Sequence, residues 1–227
     1  SRQLPTNQSI MGGKIMINEN MANLIASDLL QIKAVSFSPN SPYTWASGIK
    51  SPIYTDNRLT IAYPRIREQI ATGLANIIAT TFPQVSVIGG VATAGIPHAT
   101  LVSQNLNLPL IYVRSQAKDH GKGRQIEGQL QAGDQVILID DLISTGGSVL
   151  KAVAAVRAQN IDVLGVAAIF SYQLPDAVEN LRSANVPLVT LTDYDHLIQQ
   201  ATQQHYLATS DVAAVQQWRQ DPWHWSL

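Results

Sequence analysis

The sequence contains no cysteine among its 227 residues, which excludes disulfides and every metal site built on thiolates. It also lacks an apolar run long enough to span a bilayer, so we expect no membrane segment. Neither sign of charge is in excess: the formal net charge is -1, whereas nucleic-acid-binding proteins usually carry a basic surplus. These absences favour a cytoplasmic protein that binds neither membranes nor nucleic acids.

What is present favours a globular chain. Hydrophobic residues make up 45% of the sequence and charged residues 14%, and the length suits one domain with a sizeable core. Residues 1–16 are polar, without the basic-then-apolar order of a signal peptide. We expect residues 1–16 to be a flexible extension or a vector-derived remnant, and residues 17–227 to form a single domain.

Hydrophobic periodicity predicts an alternation of helices and strands. Apolar residues at helical spacing predict helices over 21–32, 64–78, 97–107 and 149–156. Uninterrupted apolar stretches predict strands over 85–88, 110–113, 136–139, 163–170 and 187–191. Strands that are apolar throughout and alternate with helices indicate an α/β fold, with a parallel sheet covered on both faces.

Two segments do not fit this alternation. Residues 44–50 are typical of a short strand entering a turn, and we expect residues 53–55 to be its partner strand. Residues 115–128 carry basic residues and three glycines with almost nothing to bury, which predicts a mobile surface loop.

The most informative stretch begins with the apolar residues 136–139. Two acids, Asp140 and Asp141, follow directly, and a turn rich in Ser, Thr and Gly then leads into a helix from about Ser148. In an open parallel sheet, ligands bind beyond the carboxyl ends of the strands, so this turn lies where a ligand would sit.

The residue types in this turn suit a phosphate. A helix N-terminus offers unpaired N–H groups, glycines allow close approach, and Ser144, Thr145 and Ser148 add hydroxyl donors. The two acids suit the hydroxyls of a ribose or a metal ion. An ordinary strand-to-helix turn with an acidic cap would explain one of these residues, but not the whole pattern.

The apolar strand, the acid pair and the Ser/Thr-Gly turn resemble the phosphoribosyl pyrophosphate signature of type I phosphoribosyltransferases. The resemblance implies a central five-stranded parallel sheet with flanking helices, an N-terminal hood formed mainly by residues 17–60, and a flexible catalytic loop. It also implies phosphoribosyl pyrophosphate as the donor substrate.

Two further segments resemble the orotate phosphoribosyltransferases of Gram-positive bacteria. One is the hood stretch Ser47 to Arg58, and the other is the loop stretch Tyr112 to Gly123. The resemblance implies transfer of the 5-phosphoribosyl group to orotate, which gives orotidine 5-phosphate and pyrophosphate in de novo pyrimidine biosynthesis. It further implies a homodimer in which the catalytic loop acts on the partner's site.

By this resemblance, Lys118, His120 and Asp141 are the expected catalytic residues. The expected donor-binding residues are Arg114, Lys118, His120, Asp140, Asp141, Leu142, Ile143, Ser144, Thr145, Gly146, Gly147 and Ser148. Cations on a closing loop would neutralise the pyrophosphate as its charge develops. Asp140 and Asp141 are also expected to hold Mg²⁺, through water or the ribose hydroxyls.

The expected orotate-binding residues are Ser144, Tyr54 and Arg58. Tyr54 is either a stacking surface for the pyrimidine or a packing aromatic of the hood, and Arg58 either pairs with the orotate carboxylate or forms a surface ion pair. We also expect residues 89–95, which are rich in glycine, to form the loop that holds pyrophosphate.

The sequence departs from the enterobacterial type at two positions where that type has lysine, here Ala46 and Ala94. Lys50 and Arg58 are candidates to supply the missing charge.

Two other functions remain open at this point. One is transfer to a different base, such as a purine. The other is a regulator that keeps the fold, senses the donor and binds nucleic acid. The aromatic tail around Trp218 and Trp223 either packs against the body or the dimer partner, or is loosely attached.

Overall fold

The computed structural model describes residues 17–116 and 124–226. The strands in these ranges are β1 (Val35–Phe37), β2 (Tyr43–Thr44), β3 (Lys50–Ser51), β4 (Ile53–Thr55), β5 (Val87–Val91), β6 (Leu110–Val113), β7 (Ile126–Glu127), β8 (Gln135–Ile143), β9 (Asp162–Ser171) and β10 (Leu188–Asp193). The α-helices are α1 (Glu19–Gln31), α2 (Pro64–Thr81), α3 (Gly95–Leu106), α4 (Gly147–Arg157), α5 (Pro175–Ser183), α6 (Tyr194–Gln203) and α7 (Val212–Gln220). One 3-10 helix spans Asn57–Ala62 and another spans Thr209–Asp211.

The central sheet has the strand order β10-β9-β8-β5-β6-β7. The first five of these strands are parallel, and they are the five that the apolar stretches predict. The α/β fold with a five-stranded parallel sheet is therefore confirmed. A sixth strand, β7, pairs antiparallel with β6 at the edge, through Tyr112 with Glu127 and Val113 with Ile126. With two residues, β7 is too short to produce a recognisable pattern.

The two faces of the sheet carry separate cores because successive side chains of a strand point to opposite sides. In β8, Ile137 and Ile139 pack with α1, α2, α3 and α6. Val136 and Leu138 face the other way and pack with α4 and α5. Both faces of the strand are fully buried, which explains why its sequence is apolar without alternation.

The ends of two helices follow from local chemistry. The Asn18 side chain accepts a hydrogen bond of 3.1 Å from the backbone N–H of Met21, which caps α1. Pro64 is the first residue of α2. At this position the fixed φ of proline and its missing backbone N–H do not destabilise the helix. Among the described residues, no helix combines the length and the apolarity that a membrane crossing needs.

The strand pairing expected within the hood is wrong. β4 pairs antiparallel with β1, so that Ile53 lies opposite Phe37 and Thr55 opposite Val35. β2 pairs instead with β3, and together they form a small antiparallel hairpin. Residues 43–51 are called the hood hairpin below. The true partner of β4, β1, lies before the loop of residues 38–42, and no local signal in the sequence identifies it as the partner.

The chain after β9 contains three helices that periodicity did not predict: α5, α6 and α7. Among them, α7 brings the fully buried Trp218 against Tyr194 and Trp45. The tail therefore packs against the body, which the sequence left undecided. The proposed hood boundary and the single-domain prediction for 17–227 stay predictions, and residues 1–16 lie outside the described residues.

Candidate active site

An acid pair ends the apolar part of β8, at the carboxyl edge of the sheet. Asp140 is buried, with 8% of its surface exposed, and its Oδ1 accepts a hydrogen bond of 2.8 Å from the backbone N–H of Asp141. Burial raises the pKa of Asp140, and the neighbouring Asp141 raises it further. Burial also raises the pKa of Asp141, although its contacts with Asp140 and the charge of Arg58 oppose this. In the absence of ligand, the site therefore disfavours ionisation of both carboxyls at once.

The turn after the acids opens toward the same edge. β8 continues to Ile143, so the predicted donor-binding residues Leu142 and Ile143 still belong to the strand. Ser144 and Thr145 form the turn, and Gly146 has a φ of 84°, a left-handed conformation that glycine adopts without strain. α4 then begins at Gly147. The N–H groups of the first turn of α4 have no helical acceptors, which makes this turn a suitable cradle for a phosphate.

Helix α5 packs against the turn of residues 144–146 and fixes its position. The side-chain amide of Asn180 donates a hydrogen bond of 3.0 Å to the carbonyl of Thr145. Gly146 also lies against Ala177 and Leu181 of α5. A phosphate cradle needs its N–H groups in place before the ligand arrives, and these contacts hold the turn in position.

The glycines expected to form the pyrophosphate loop have a different role. Gly89 and Gly90 lie within β5, where both are buried. A Cβ on Gly89 would lie 2.6 Å from Leu138, and one on Gly90 would lie 2.9 Å from the Cα of Ile96. These glycines therefore allow close packing of β5 against β8 and α3, and the prediction that they belong to the loop is wrong.

The loop between β5 and α3 consists of residues 92–94, and it contains a cis peptide bond between Ala92 and Thr93. α3 begins at Gly95, where a Cβ would overlap the carbonyl oxygen of Ile139 and lie 3.2 Å from the Cα of Asp140. The N-terminus of α3 is thus packed directly against the acid pair. A second helix N-terminus therefore borders the site, and Ala94 occupies its cap position.

The hood reaches this edge through its 3-10 helix. Asn57 is 1% exposed, and its side-chain amide donates a hydrogen bond of 3.1 Å to the backbone carbonyl of Asp141. Its side-chain oxygen is buried with no hydrogen-bond partner among the described residues. Asn57 stands in the hood stretch that carries the family resemblance, but nothing in its local sequence indicates this contact.

The two predicted orotate-binding residues of the hood lie near Asn57. Arg58 pairs with Asp56 through Nε (2.7 Å) and Nη2 (3.0 Å), and its charge partly opposes the rise that burial causes in the pKa of Asp141. Tyr54 is 45% exposed, and its ring centroid lies 5.7 Å from that of Tyr43. The structure therefore brings Arg58 close to the acid pair and leaves much of the Tyr54 side chain accessible.

The predicted catalytic loop starts at the other end of the site. Arg114 follows β6, and its Nε donates a hydrogen bond of 3.0 Å to Glu127 at the far end of the loop. Its backbone N–H donates to the carbonyl of Gln125. These bonds close the base of the loop at the sheet edge formed by β6 and β7. Lys118 and His120 lie outside the described residues.

His98 is a buried histidine that sequence reasoning did not select. It lies one turn into α3, is fully buried, and has neither ring nitrogen hydrogen-bonded within the described residues. Burial lowers its pKa to about 4, so the ring is neutral at physiological pH.

The described residues contain no group of three or more His, Cys, Asp or Glu side chains arranged to hold a metal ion. Asp140 and Asp141 by themselves supply two carboxylates. This donor set fits a magnesium ion that a phosphorylated substrate carries into the site, since Mg²⁺ keeps several waters and commonly binds one or two carboxylates plus substrate phosphates.

The arrangement combines three chemical functions at one edge. Two helix N-termini can bind an anion, a pair of carboxylates can bind hydroxyls or a metal ion, and the charge of Arg58 from the hood acts on Asp141. Such a site can hold a phosphorylated sugar.

Comparison with known proteins agrees with this geometry. The family model described as "Phosphoribosyl transferase domain" matches residues 61–187. The chain is 58% identical over 204 residues to an orotate phosphoribosyltransferase of Levilactobacillus brevis, covering 90% of this chain and 97% of that one. It is 54% identical over 205 residues to one from Enterococcus faecalis, covering 90% and 98%.

Solved structures give the same similarity. The UMP synthase of Leishmania donovani superposes with a TM-score of 0.74 at 26% identity, over 88% of this chain and 43% of that one. The orotate phosphoribosyltransferase of Aeropyrum pernix gives a TM-score of 0.70 at 26% identity, over 79% and 98%.

Proposed function

The chain belongs to the phosphoribosyltransferase family, among its orotate phosphoribosyltransferases, and we propose that the residues at the carboxyl edge of its sheet carry out the transfer. The reaction joins orotate to the 5-phosphoribosyl group of phosphoribosyl pyrophosphate. The bond from the ribose C1 to the pyrophosphate oxygen breaks, and the leaving group takes the electron pair. Orotate N1 forms the new bond with inversion, which gives orotidine 5-phosphate and pyrophosphate in pyrimidine biosynthesis.

The observation that carries this assignment of roles is the position of Asp140 and Asp141 directly before the turn of residues 144–148. The 5-phosphate binds the N–H groups at the start of α4, with the hydroxyls of Ser144, Thr145 and Ser148 as further donors. The ribose then lies beside the acid pair, which accepts hydrogen bonds from its 2- and 3-hydroxyls.

Asp140 and Asp141 also act on the transition state. As pyrophosphate departs before N1 has fully bonded, positive charge develops on the ribose ring. Poorly solvated carboxylates beside the ring stabilise that charge more strongly than water would. Asp141 is the more accessible of the two, which makes it the better placed for direct contact.

The hood supplies the base site. The pyrimidine stacks on Tyr54, and Ser144 contacts the base from the turn. Arg58 is held by Asp56 on its Nε and Nη2 side. An incoming orotate carboxylate would therefore meet the Nη1 side of the guanidinium. The bidentate pair with Asp56 fixes the plane of Arg58 before orotate arrives.

The loop that begins at Arg114 supplies the groups for the leaving pyrophosphate. We propose that Lys118 and His120 bind it, with Arg114 at the base of the loop, and that the loop of one protomer of a homodimer serves the partner's site. Closure of the loop would also exclude water, which would otherwise hydrolyse the ribosyl cation.

Magnesium is the proposed cofactor. Asp140 and Asp141 would hold it through water or the ribose hydroxyls, and when bound it offsets the negative charge of the pyrophosphate. We also propose a cytoplasmic location, which the sequence predicts.

The test is an assay with phosphoribosyl pyrophosphate, magnesium and orotate, in which turnover is measured as the loss of orotate absorbance. We expect magnesium-dependent turnover in the wild type and a collapse in Lys118→Ala. Lys122→Ala removes the same charge from the same loop and serves as the matched control. If pyrophosphate is released only with a purine base, the acceptor is a purine and not orotate. If no base supports turnover, the assignment as an enzyme is overturned.

A further inference from the structure

A cluster of aromatic residues joins the carboxy-terminal helix α7 to the hood. Trp218 of α7 is fully buried, and its ring centroid lies 5.4 Å from Trp45 and 6.0 Å from Tyr172, in both cases edge to face. Its ring also lies 5.7 Å from Tyr194. The described structure thus places a residue from near the end of the chain between the hood hairpin and the sheet.

Two indole N–H groups of this cluster bind the hood backbone at two neighbouring points. Trp218 Nε1 donates a hydrogen bond of 2.8 Å to the carbonyl of Lys50. Trp45 Nε1 donates one of 3.2 Å to the carbonyl of Ile53. The short turn from Lys50 to Ile53 is therefore held at both ends, and Tyr54 follows it directly in the chain.

The other side of the cluster is anchored to the sheet edge that carries the site. Tyr172 stands directly after β9, and its backbone N–H donates a hydrogen bond of 3.1 Å to the carbonyl of Ile143. Ile143 is the last residue before the phosphate turn. Trp218 contacts both Tyr172 and Lys50. It therefore lies between the phosphate end of the site and the backbone that carries Tyr54.

α7 itself is firmly attached at the same point. The Tyr194 hydroxyl donates a hydrogen bond of 2.7 Å to the carbonyl of Val215. Arg219 pairs with Asp195 at 3.1 Å and lies over the Tyr194 ring at 5.9 Å. Because these contacts attach α7 to Tyr194 and Asp195, which lie outside the hood, α7 can serve as a support for the hood.

We propose that Trp218 is a positioning residue for orotate: from α7 it holds the Lys50–Ile53 turn, and so fixes the distance between Tyr54 and the ribose site. This inference rests on the proposed function, in which the hood carries the base site. Trp218 acts through the hood backbone and is not a catalytic residue.

The proposal predicts a split between kinetic constants. Without the indole N–H, the carbonyl of Lys50 loses its partner and the hood spends part of its time undocked. Only the molecules with a docked hood then bind orotate, so the apparent affinity for orotate falls in proportion to the docked fraction. The chemical step itself does not change. A mutation of Trp218 should therefore raise KM for orotate, and leave KM for phosphoribosyl pyrophosphate and kcat at saturating orotate nearly unchanged.

The test compares Trp218→Phe with Trp223→Phe. Phenylalanine keeps an aromatic ring in the cluster but removes the donor. Trp223 is half exposed, and its indole binds Asp176 rather than the hood, so it is the matched control. We expect KM for orotate to rise about fivefold in Trp218→Phe, the equivalent of one lost hydrogen bond, and to stay unchanged in Trp223→Phe.

A second readout is amide hydrogen exchange in the hood hairpin. Exchange should be faster in Trp218→Phe than in the wild type, and saturating orotidine 5-phosphate should restore the protection. If Trp218→Phe does not fold, Trp45→Phe removes the indole bond at the other end of the turn and is expected to give the same kinetic split.

Equal changes in both KM values, or unchanged exchange in the hairpin, would reduce Trp218 to a structural residue and overturn the proposal. Failure of the proposed function can be distinguished from failure of the positioning role. If the wild type does not turn over orotate, the proposed function fails, whereas an active wild type with no change in Trp218→Phe contradicts the positioning role alone.

Discussion

Asn57 of the hood donates a hydrogen bond of 3.1 Å to the backbone carbonyl of Asp141, the second acid at the end of β8. Eighty-four residues separate the two in the sequence. The bond ties the 3-10 helix that carries Arg58 to the acid pair at the end of β8. The relative position of the proposed base site and the proposed donor site therefore depends in part on this single contact.

Replacing Asn57 by Ala should weaken both stability and activity. The variant leaves the Asp141 carbonyl without this donor, and we expect the free energy of unfolding to fall by about 1–2 kcal/mol. We expect kcat/KM for orotate to fall by about tenfold, since the same energy displaces the hood. Denaturant titration and steady-state kinetics provide the measurement. Asn105→Ala, on the exposed side of α3, is the control, and an Asn57→Ala enzyme with wild-type kinetics would contradict the role of the bond.

The acid pair should make stability depend on pH in a defined direction. Burial raises the pKa of Asp140, so between the ordinary carboxylate pKa of about 3.9 and the raised value the folded state binds more protons than the unfolded state. The free energy of unfolding of the ligand-free protein should therefore contain a contribution that falls as pH rises through this window. Denaturant titrations of the wild type and Asp140→Asn across the window give the difference. A difference that is constant with pH would show that Asp140 is ionised in both states.

The proposed trans action of the catalytic loop in a homodimer can be tested by subunit mixing. Lys118→Ala and Asp141→Asn homodimers should each lose about a hundredfold or more in kcat, since each lacks a group that stabilises developing charge. If the loop serves the partner's site, a mixed dimer contains one site with both groups intact. After subunit exchange we expect about a quarter of wild-type activity, because half the dimers are mixed and each has one good site. If no activity returns although mass spectrometry detects mixed dimers, the loop acts within its own protomer.

Gly95 should not tolerate even one additional methyl group. A Cβ there would overlap the carbonyl oxygen of Ile139, and backbone atoms cannot move aside as a flexible side chain can. We expect Gly95→Ala to lower the free energy of unfolding by about 2–4 kcal/mol and to disturb the acid pair. Gly147→Ala is the control for stability, because its Cβ would come no closer than 3.8 Å to the Thr145 hydroxyl. Similar unfolding midpoints for the two variants would mean that α3 shifts without cost.

His196 should contribute stability that disappears as pH rises. Its ring lies between Asp193 (2.7 Å) and Glu19 (2.8 Å), and joins α6 to the start of α1. Burial opposes protonation, but the two hydrogen bonds outweigh it and raise the pKa of His196. The stabilisation is therefore complete below the unfolded pKa of about 6.5 and is lost as pH rises through the higher folded value.

The corresponding variant is His196→Gln, with thermal unfolding as the measurement. We expect a larger loss of Tm at about pH 5.5 than at about pH 8.5, on either side of that transition. His224→Gln is the matched control, because His224 also pairs with an aspartate, at 2.9 Å, but is 83% exposed. A loss of Tm that is the same at both pH values would indicate that His196 stays neutral.

The sequence by itself determined the parts of the molecule that depend on neighbouring residues. The apolar run of β8, the two acids and the Ser/Thr-Gly turn lie within one short stretch, so strand, ligand edge and helix start could all be predicted from it. The five parallel strands were predictable for the same reason, since burial on both faces requires apolar residues at every position. The resemblance of the hood and loop stretches then indicated the base.

Only the tertiary structure decided the features that join distant residues. β4 pairs with β1 rather than with the residues before it, because register depends on which side chains meet across the pair. Gly89 and Gly90 are packing residues of β5, since Leu138 and Ile96 occupy the space a side chain would need. Asn57 and Trp218 form hydrogen bonds with partners that lie 84 and 168 residues away in the sequence. Local pattern carries no information about such contacts, because their geometry exists only after the sheet and its helices have packed.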